Sequence, residues 1–201
     1  MPLVYVGGNT GTWAGATSGN NNVSLTILTG GISSTAAAGD IVIAVYATGS
    51  AADRTLSIQT PGAVAYTLID SERYANGTTY DSNLRVAYRI LTAADANTVF
   101  GPTGNAQDAG AAAVHVWRGV DPTTPLDVTA VGTQGTGTGR PNPPAITPTT
   151  AGSVVIATGG AAAGTGALFV GTGLSNFRTA TSIDTNDGMV GIGSFAWTSG
   201  T

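Results

Sequence analysis

The chain has 201 residues, no cysteine, a formal net charge of −4 and only 9% charged residues. This length holds one large β-sandwich or two small domains, and neither needs a disulfide or metal staple. All the basic residues are arginine (Arg54, Arg73, Arg85, Arg89, Arg118, Arg140 and Arg178), which leaves no basic footprint for nucleic acid or an anionic membrane.

Globular domains usually carry roughly 25% charged residues, so here threonine, serine, asparagine and glycine must cover the surface. With 42% hydrophobic residues in distinct runs, the chain is not a disordered one. The N-terminal stretch Met1–Gly8 has neither a basic n-region nor a sustained apolar h-region, so no secretory signal is expected. No apolar run reaches the roughly 20 residues of a membrane helix.

In chain order, β-branched and aromatic stretches predict strands near Val4–Val6, Val23–Leu28, Asp40–Ala47, Thr55–Gln59, Tyr66–Arg73 and Leu84–Leu91. Further strands are predicted near Ala113–Arg118, Ser153–Thr158, Ala167–Val170, Arg178–Ser182 and Met189–Trp197. Turn residues separate them: Asn9-Thr10-Gly11, Thr60-Pro61-Gly62, Asn76-Gly77, Gly101-Pro102 and Asn186-Asp187-Gly188. Helix is expected at most as short turns over Thr92–Ala96 and Asp108–Ala113. Many short strands at this spacing indicate a sandwich or jelly roll.

Val131–Thr150 reads differently, with alternating glycine and threonine followed by Pro141, Pro143, Pro144 and Pro148. Proline cannot donate to a ladder, so this is an extended connection: a crossover between sheets, which is favoured, or a linker between domains. Ala38-Gly39-Asp40-Ile41-Val42-Ile43-Ala44 and Ala151-Gly152-Ser153-Val154-Val155-Ile156-Ala157 echo each other. Either the two halves contribute equivalent strands to one core, or any buried strand opened by a glycine turn looks like this. About 50 residues follow the connection, few for an independent β domain, so one domain is expected.

Candidate chemistry is sparse. The single histidine, His115, shares a strand face with Ala113 and Trp117, opposite Val114 and Val116. It reads as a satisfied strand histidine, because no G-x-S-x-G elbow supplies a nucleophile. With no cysteine and one histidine, zinc and thiolate sites are effectively excluded. Asp70 and Glu72 share a strand face as a solvated edge, and a glycosidase would need a facing pair across a cleft. Asp184-Thr185-Asn186-Asp187-Gly188 has hard oxygen ligands but lacks the distant glutamate of a calcium loop, so a hairpin turn is expected. Gly135-Thr136-Gly137-Thr138-Gly139 is followed by prolines rather than a helix, so it cannot cradle phosphate. Asn22-Val23-Ser24 and Asn76-Gly77-Thr78 are glycosylation sequons by pattern alone. No cofactor is expected. Trp13, Tyr74 and Tyr80 lie in Gly/Asn/Thr-rich stretches, where exposed aromatics could contact a glycan or a partner.

The most specific stretch is Val114-His115-Val116-Trp117-Arg118-Gly119-Val120-Asp121-Pro122-Thr123-Thr124-Pro125-Leu126-Asp127-Val128. Its aromatic-Arg-Gly-Val-Asp…Thr-Pro-Leu-Asp pattern resembles one in a widespread group of β-sandwich proteins of tailed phages and prophages, found among tail and virion structural genes. Gly39-Asp40-Ile41-Val42 resembles the group's opening strand, Tyr66-Thr67-Leu68-Ile69 its "Gly-Trp-Thr-Leu-Ile" element, and Leu84–Arg89 its "Val-Tyr-Tyr-Arg" strand. The likeness spans about residues 36 to 198. In that group a Trp-containing segment and a final strand follow the region of Phe195-Ala196-Trp197. For the last edge here the resemblance therefore implies an expectation with three alternatives: trimmed, shortened or completed by a neighbour's strand.

The resulting expectation is an all-β chain, a single antiparallel β-sandwich of jelly-roll type over 36–201, with 1–35 as an N-terminal arm or extra strands. The resemblance implies a non-enzymatic virion structural protein, a capsid decoration or tail-fibre subunit displayed on the virion surface. Its partners would be further copies of itself and other capsid or tail proteins, without nucleic acid or membrane. The alternative is a carbohydrate-binding or adhesin module that recognises host surface glycans.

Overall fold

The computed structural model describes residues 2–13, 22–49, 53–71, 73–75, 81–95, 99–103, 109–135, 141–162, 171–183 and 187–199. Its strands are β1 (Val4–Trp13), β2 (Val23–Ser24), β3 (Ile41–Gly49), β4 (Ser57–Gln59), β5 (Thr67–Leu68) and β6 (Arg73–Ala75). They continue with β7 (Ser82–Ile90), β8 (Val99–Thr103), β9 (Gly110–Arg118), β10 (Val154–Ala161), β11 (Ser175–Ser182) and β12 (Gly188–Ala196). Every strand pairing is antiparallel. Among the described residues there is no helix. The fold is all-β and consistent with a β-sandwich.

A six-stranded sheet in the order β1-β9-β3-β7-β5, with β6 also on β7, lies between two three-stranded sheets, β10-β12-β11 and β2-β8-β4. The sequence of β3, Ile-Val-Ile-Ala-Val-Tyr-Ala-Thr-Gly, explains this stacking. It is apolar without alternation, and all of it is buried, as strands covered on both faces require. Alternate residues then serve different cores. Val42, Ala44 and Tyr46 pack with Leu25, Leu56 and Ile58 on one face. Ile41, Ile43, Val45 and Ala47 pack with Val190 and Ile192 on the other. β9 divides in the same way, with Val114 and Val116 on the first face and Ala113 and Trp117 on the second.

Several elements differ from expectation. Asn9-Thr10-Gly11 is not a turn but part of β1, which runs the full length of β9. Here glycine marks close approach rather than chain reversal. Opposite Trp13, a β-carbon on Gly110 would lie 2.5 Å from the indole. Gly101-Pro102 also lies within a strand, β8, with Pro102 opposite Ile58 of β4. Gly110–Ala113, part of an expected helical turn, is strand, because both its faces are buried against other strands. Thr92–Asp95 is a turn whose Asp95 carboxylate accepts from the Thr92 amide. The expected Tyr66–Arg73 strand breaks into β5 and β6 on the same partner, β7. Of Val23–Leu28 only Val23–Ser24 is strand. Asn76-Gly77 and the strand expected at Ala167–Val170 lie outside the described residues.

The echo between the two halves has a structural counterpart. Gly39 and Gly152 both have φ of 85° and both open a strand, β3 and β10. The Gly39 amide donates to the Leu91 carbonyl and the Gly152 amide to that of Trp197, each at 2.9 Å. Leu91 and Trp197 in turn donate to the carbonyls of Asp40 and Ser153. One device therefore starts both strands and closes each onto the end of its antiparallel neighbour, β7 or β12.

Candidate functional site

Among the described residues, the small sheet β10-β12-β11 does not cover the whole face it packs on. β11 lies over β1 and β9, β12 over β9 and β3, and β10 over β3 and β7. Beyond β10 the face continues as Leu84 and Val86 of β7 and Ile69 beside β5, with no fourth strand above it among the described residues. The result is a cavity of about 1220 Å³. Its walls are the length of β10 on one side and the connection after β9, including Val120, Leu126 and Ile146, on the other. Among the described residues β10 pairs only with β12, so an unpaired strand edge borders an apolar slot.

The charged groups of the slot sit at its rim. Arg73 donates to Asp70 at 2.5 Å. Burial alone would raise the Asp70 carboxyl, but the Arg73 guanidinium and the Ser71 amide outweigh it and hold it below the usual range. Asp127 accepts from the hydroxyls and amides of Thr150 and Thr149, which bring it down to about 2. This contact ties the start of the long connection to its end. Asp121 is lowered by the Thr123 amide and the Thr124 hydroxyl. Trp117 also lines the slot, and its buried Nε1 has no hydrogen-bond partner among the described residues.

A second cluster lies where β11 meets β9 and β1. His115 is fully buried, and its Nε2 is 2.8 Å from the Asn176 carbonyl. A carbonyl only accepts, so Nε2 carries the proton and Nδ1 is left as a buried lone pair without a partner among the described residues. Asn176 adopts a φ of 56° next to a bulge in β11 and donates through its side chain to Ser194 of β12 at 3.0 Å. Arg178 donates to the Tyr5 hydroxyl and to Thr29, each at 3.0 Å. Desolvation pushes His115 down to about 4, against the Asn176 hydrogen bond and with help from the Arg178 charge. A histidine so placed is neutral at pH 7, but its only lone pair is sealed against substrate.

The aromatics singled out in the sequence do not form one platform. Trp13 is half-buried and packs on Tyr46 with ring centroids 5.1 Å apart. Tyr74, on β6, is half-buried and donates to Asp81 at 3.4 Å. β9, β3 and β7 separate the strands of these two residues. Tyr80, Glu72, residues 184–186 and residues 136–139 lie outside the described residues. Among those described, no group of three His, Cys, Asp or Glu side chains could hold a metal ion, and no helix is long and apolar enough to cross a membrane.

Sequence reasoning missed the slot and the Arg178 cluster, since both join segments far apart in the chain. Searches of protein-family models, curated proteins and solved structures return no match.

Proposed function

We propose that this chain is a non-enzymatic structural subunit of a tailed-phage particle, a sandwich of jelly-roll type displayed on the capsid or tail as a decoration or fibre subunit. It assembles by pairing the edge of β10 with an extended strand of a neighbouring particle protein, whose apolar side chains fill the slot. The observation that carries this reading is the β10 edge, unpaired among the described residues, beside an apolar cavity of about 1220 Å³. Strand addition at such an edge supplies main-chain hydrogen bonds, and the pockets beside it select alternate side chains.

Three further features support it. The stretch that resembles phage virion proteins builds the slot's outer wall: Gly119 turns at φ 89°, and Asp127 pins Thr149 and Thr150. A 9% charged composition suits surfaces repeated at close spacing, where like charges repel. His115, bonded to a backbone carbonyl inside a sheet interface, makes a poor general base.

The test is size in solution together with co-assembly onto purified capsids and tails. Neighbouring residues of an antiparallel strand point their N–H groups to opposite sides. Of Ala157→Pro and Thr158→Pro, the one that removes an outward N–H should abolish association while leaving the fold intact. A stable monomer without affinity for capsids or tails would refute the proposal.

A further inference from the structure

His115 is the chain's only histidine, and there is no cysteine. Between the carboxylates and the tyrosines, then, a single side chain titrates in the ordinary range of pH 5 to 8. It sits at the joint where the β10-β12-β11 sheet meets the central sheet, bonded through Nε2 to Asn176 of β11. The groups facing it come from every element packed there. β1 presents Tyr5, whose ring meets the imidazole edge-on at 5.0 Å. β11 presents Asn176 and the Arg178 guanidinium, the latter held by Tyr5 and Thr29. β3 presents Ile41, Ile43 and Val45, and β12 presents Val190, Ile192 and Ser194. Among these there is no carboxylate. Asp40 precedes β3 in register with the opposite face, and Arg118 occupies it.

We propose that His115 is an acid-sensitive latch between the two sheets: neutral, it holds β11 and its sheet against β9, and protonated, it lets them part. A proton on Nδ1 would lie buried without an acceptor and next to the fixed charge of Arg178. Once β11 lifts away, water reaches the ring and the proton is accepted at the ordinary value. The imidazole titrates at about 4 when enclosed and near 6.5 when released, so acid favours the opened form throughout that interval. The opening equilibrium then rises as pH falls from 6.5 to 4, close to tenfold per pH unit in the middle of the interval and about 80-fold across it. Asp70, Asp95, Asp121 and Asp127 are held below the usual carboxylate range, so their contributions fade at lower pH than this window. Because β10 belongs to the same small sheet, opening would also dismantle one wall of the slot.

Native-state hydrogen exchange on the full chain between pH 4.5 and 7, corrected for intrinsic rates, tests the latch. The β11 amides (Ser175–Ser182) should open more as pH falls, close to tenfold per pH unit in the middle of the interval, while those of β3 (Ile41–Gly49) stay flat. In His115→Gln, which keeps a donor for the Asn176 carbonyl but does not titrate, the β11 slope should vanish between pH 5 and 6.5. A flat wild-type profile, an unchanged slope in His115→Gln, or β3 rising in parallel with β11 would overturn the proposal. If that variant does not fold, the imidazole resonances of the wild-type protein decide: titration near 4 supports the latch, and titration near 6.5 removes it.

Discussion

A single ion pair shows how far one residue's environment reaches. Arg118 grips Asp40 with two parallel hydrogen bonds of 2.7 and 2.9 Å, and the same carboxylate accepts from the Ala37 amide at 2.8 Å. Asp40 is 1% exposed and Arg118 38%. Removing the arginine leaves a buried charge with one neutral donor, while the open side of the pair tempers the loss. Arg118→Met is expected to lower unfolding free energy by about 2 kcal/mol in urea titration. Adding Asp40→Asn should cost less than the sum of the two changes, because the orphaned charge goes with it. Additive effects would mean that the pair is not coupled. The sequence offered the fork only as Arg-Gly and Gly-Asp, 78 positions apart; nothing local says that they meet.

Among the elements, β3 and β10 start alike, and their glycines give a matched comparison. Gly39 and Gly152 share φ of 85° with nothing within 4 Å of an added β-carbon, so a substitution meets only backbone strain. Gly39→Ala and Gly152→Ala should each cost about 1 kcal/mol, with asparagine in either place recovering part of it. Unequal losses would break the equivalence of the two turns. Burial of β3 on both faces predicts that Val42→Ala and Val45→Ala, which empty different cores, each cost about 2 kcal/mol by thermal or urea unfolding. A neutral result at either site would uncover that face. Strand identity was legible where β-branched and other apolar or aromatic residues recur, as in β3, β7 and β12. It failed at β1 and β8, where glycine and proline read as turns although the neighbouring strands impose extension.

For the whole molecule, the arrangement of sheets decides what the protein can do. A three-stranded sheet against a six-stranded one leaves the slot beside β10, and the cluster at the opposite end of the same small sheet holds His115. Association through β10 and acid release through His115 are therefore expected to be linked. At pH 5 the wild-type protein should associate more weakly than at pH 7, whereas His115→Gln should show no such loss in light scattering. Equal association of the wild-type protein at both pH values would separate the two features. The sequence by itself determined the all-β class and the absence of thiol chemistry, because these follow from residue type and period. It also placed His115 on the face it shares with Trp117. Only the tertiary structure decided that β10 pairs with β12 alone among the described residues, that Asn176 bonds the imidazole, and that Arg178 reaches Tyr5 across 173 positions. These are pairings between distant segments, fixed by which faces and edges remain to be covered once the core has formed, and local patterns carry no record of them.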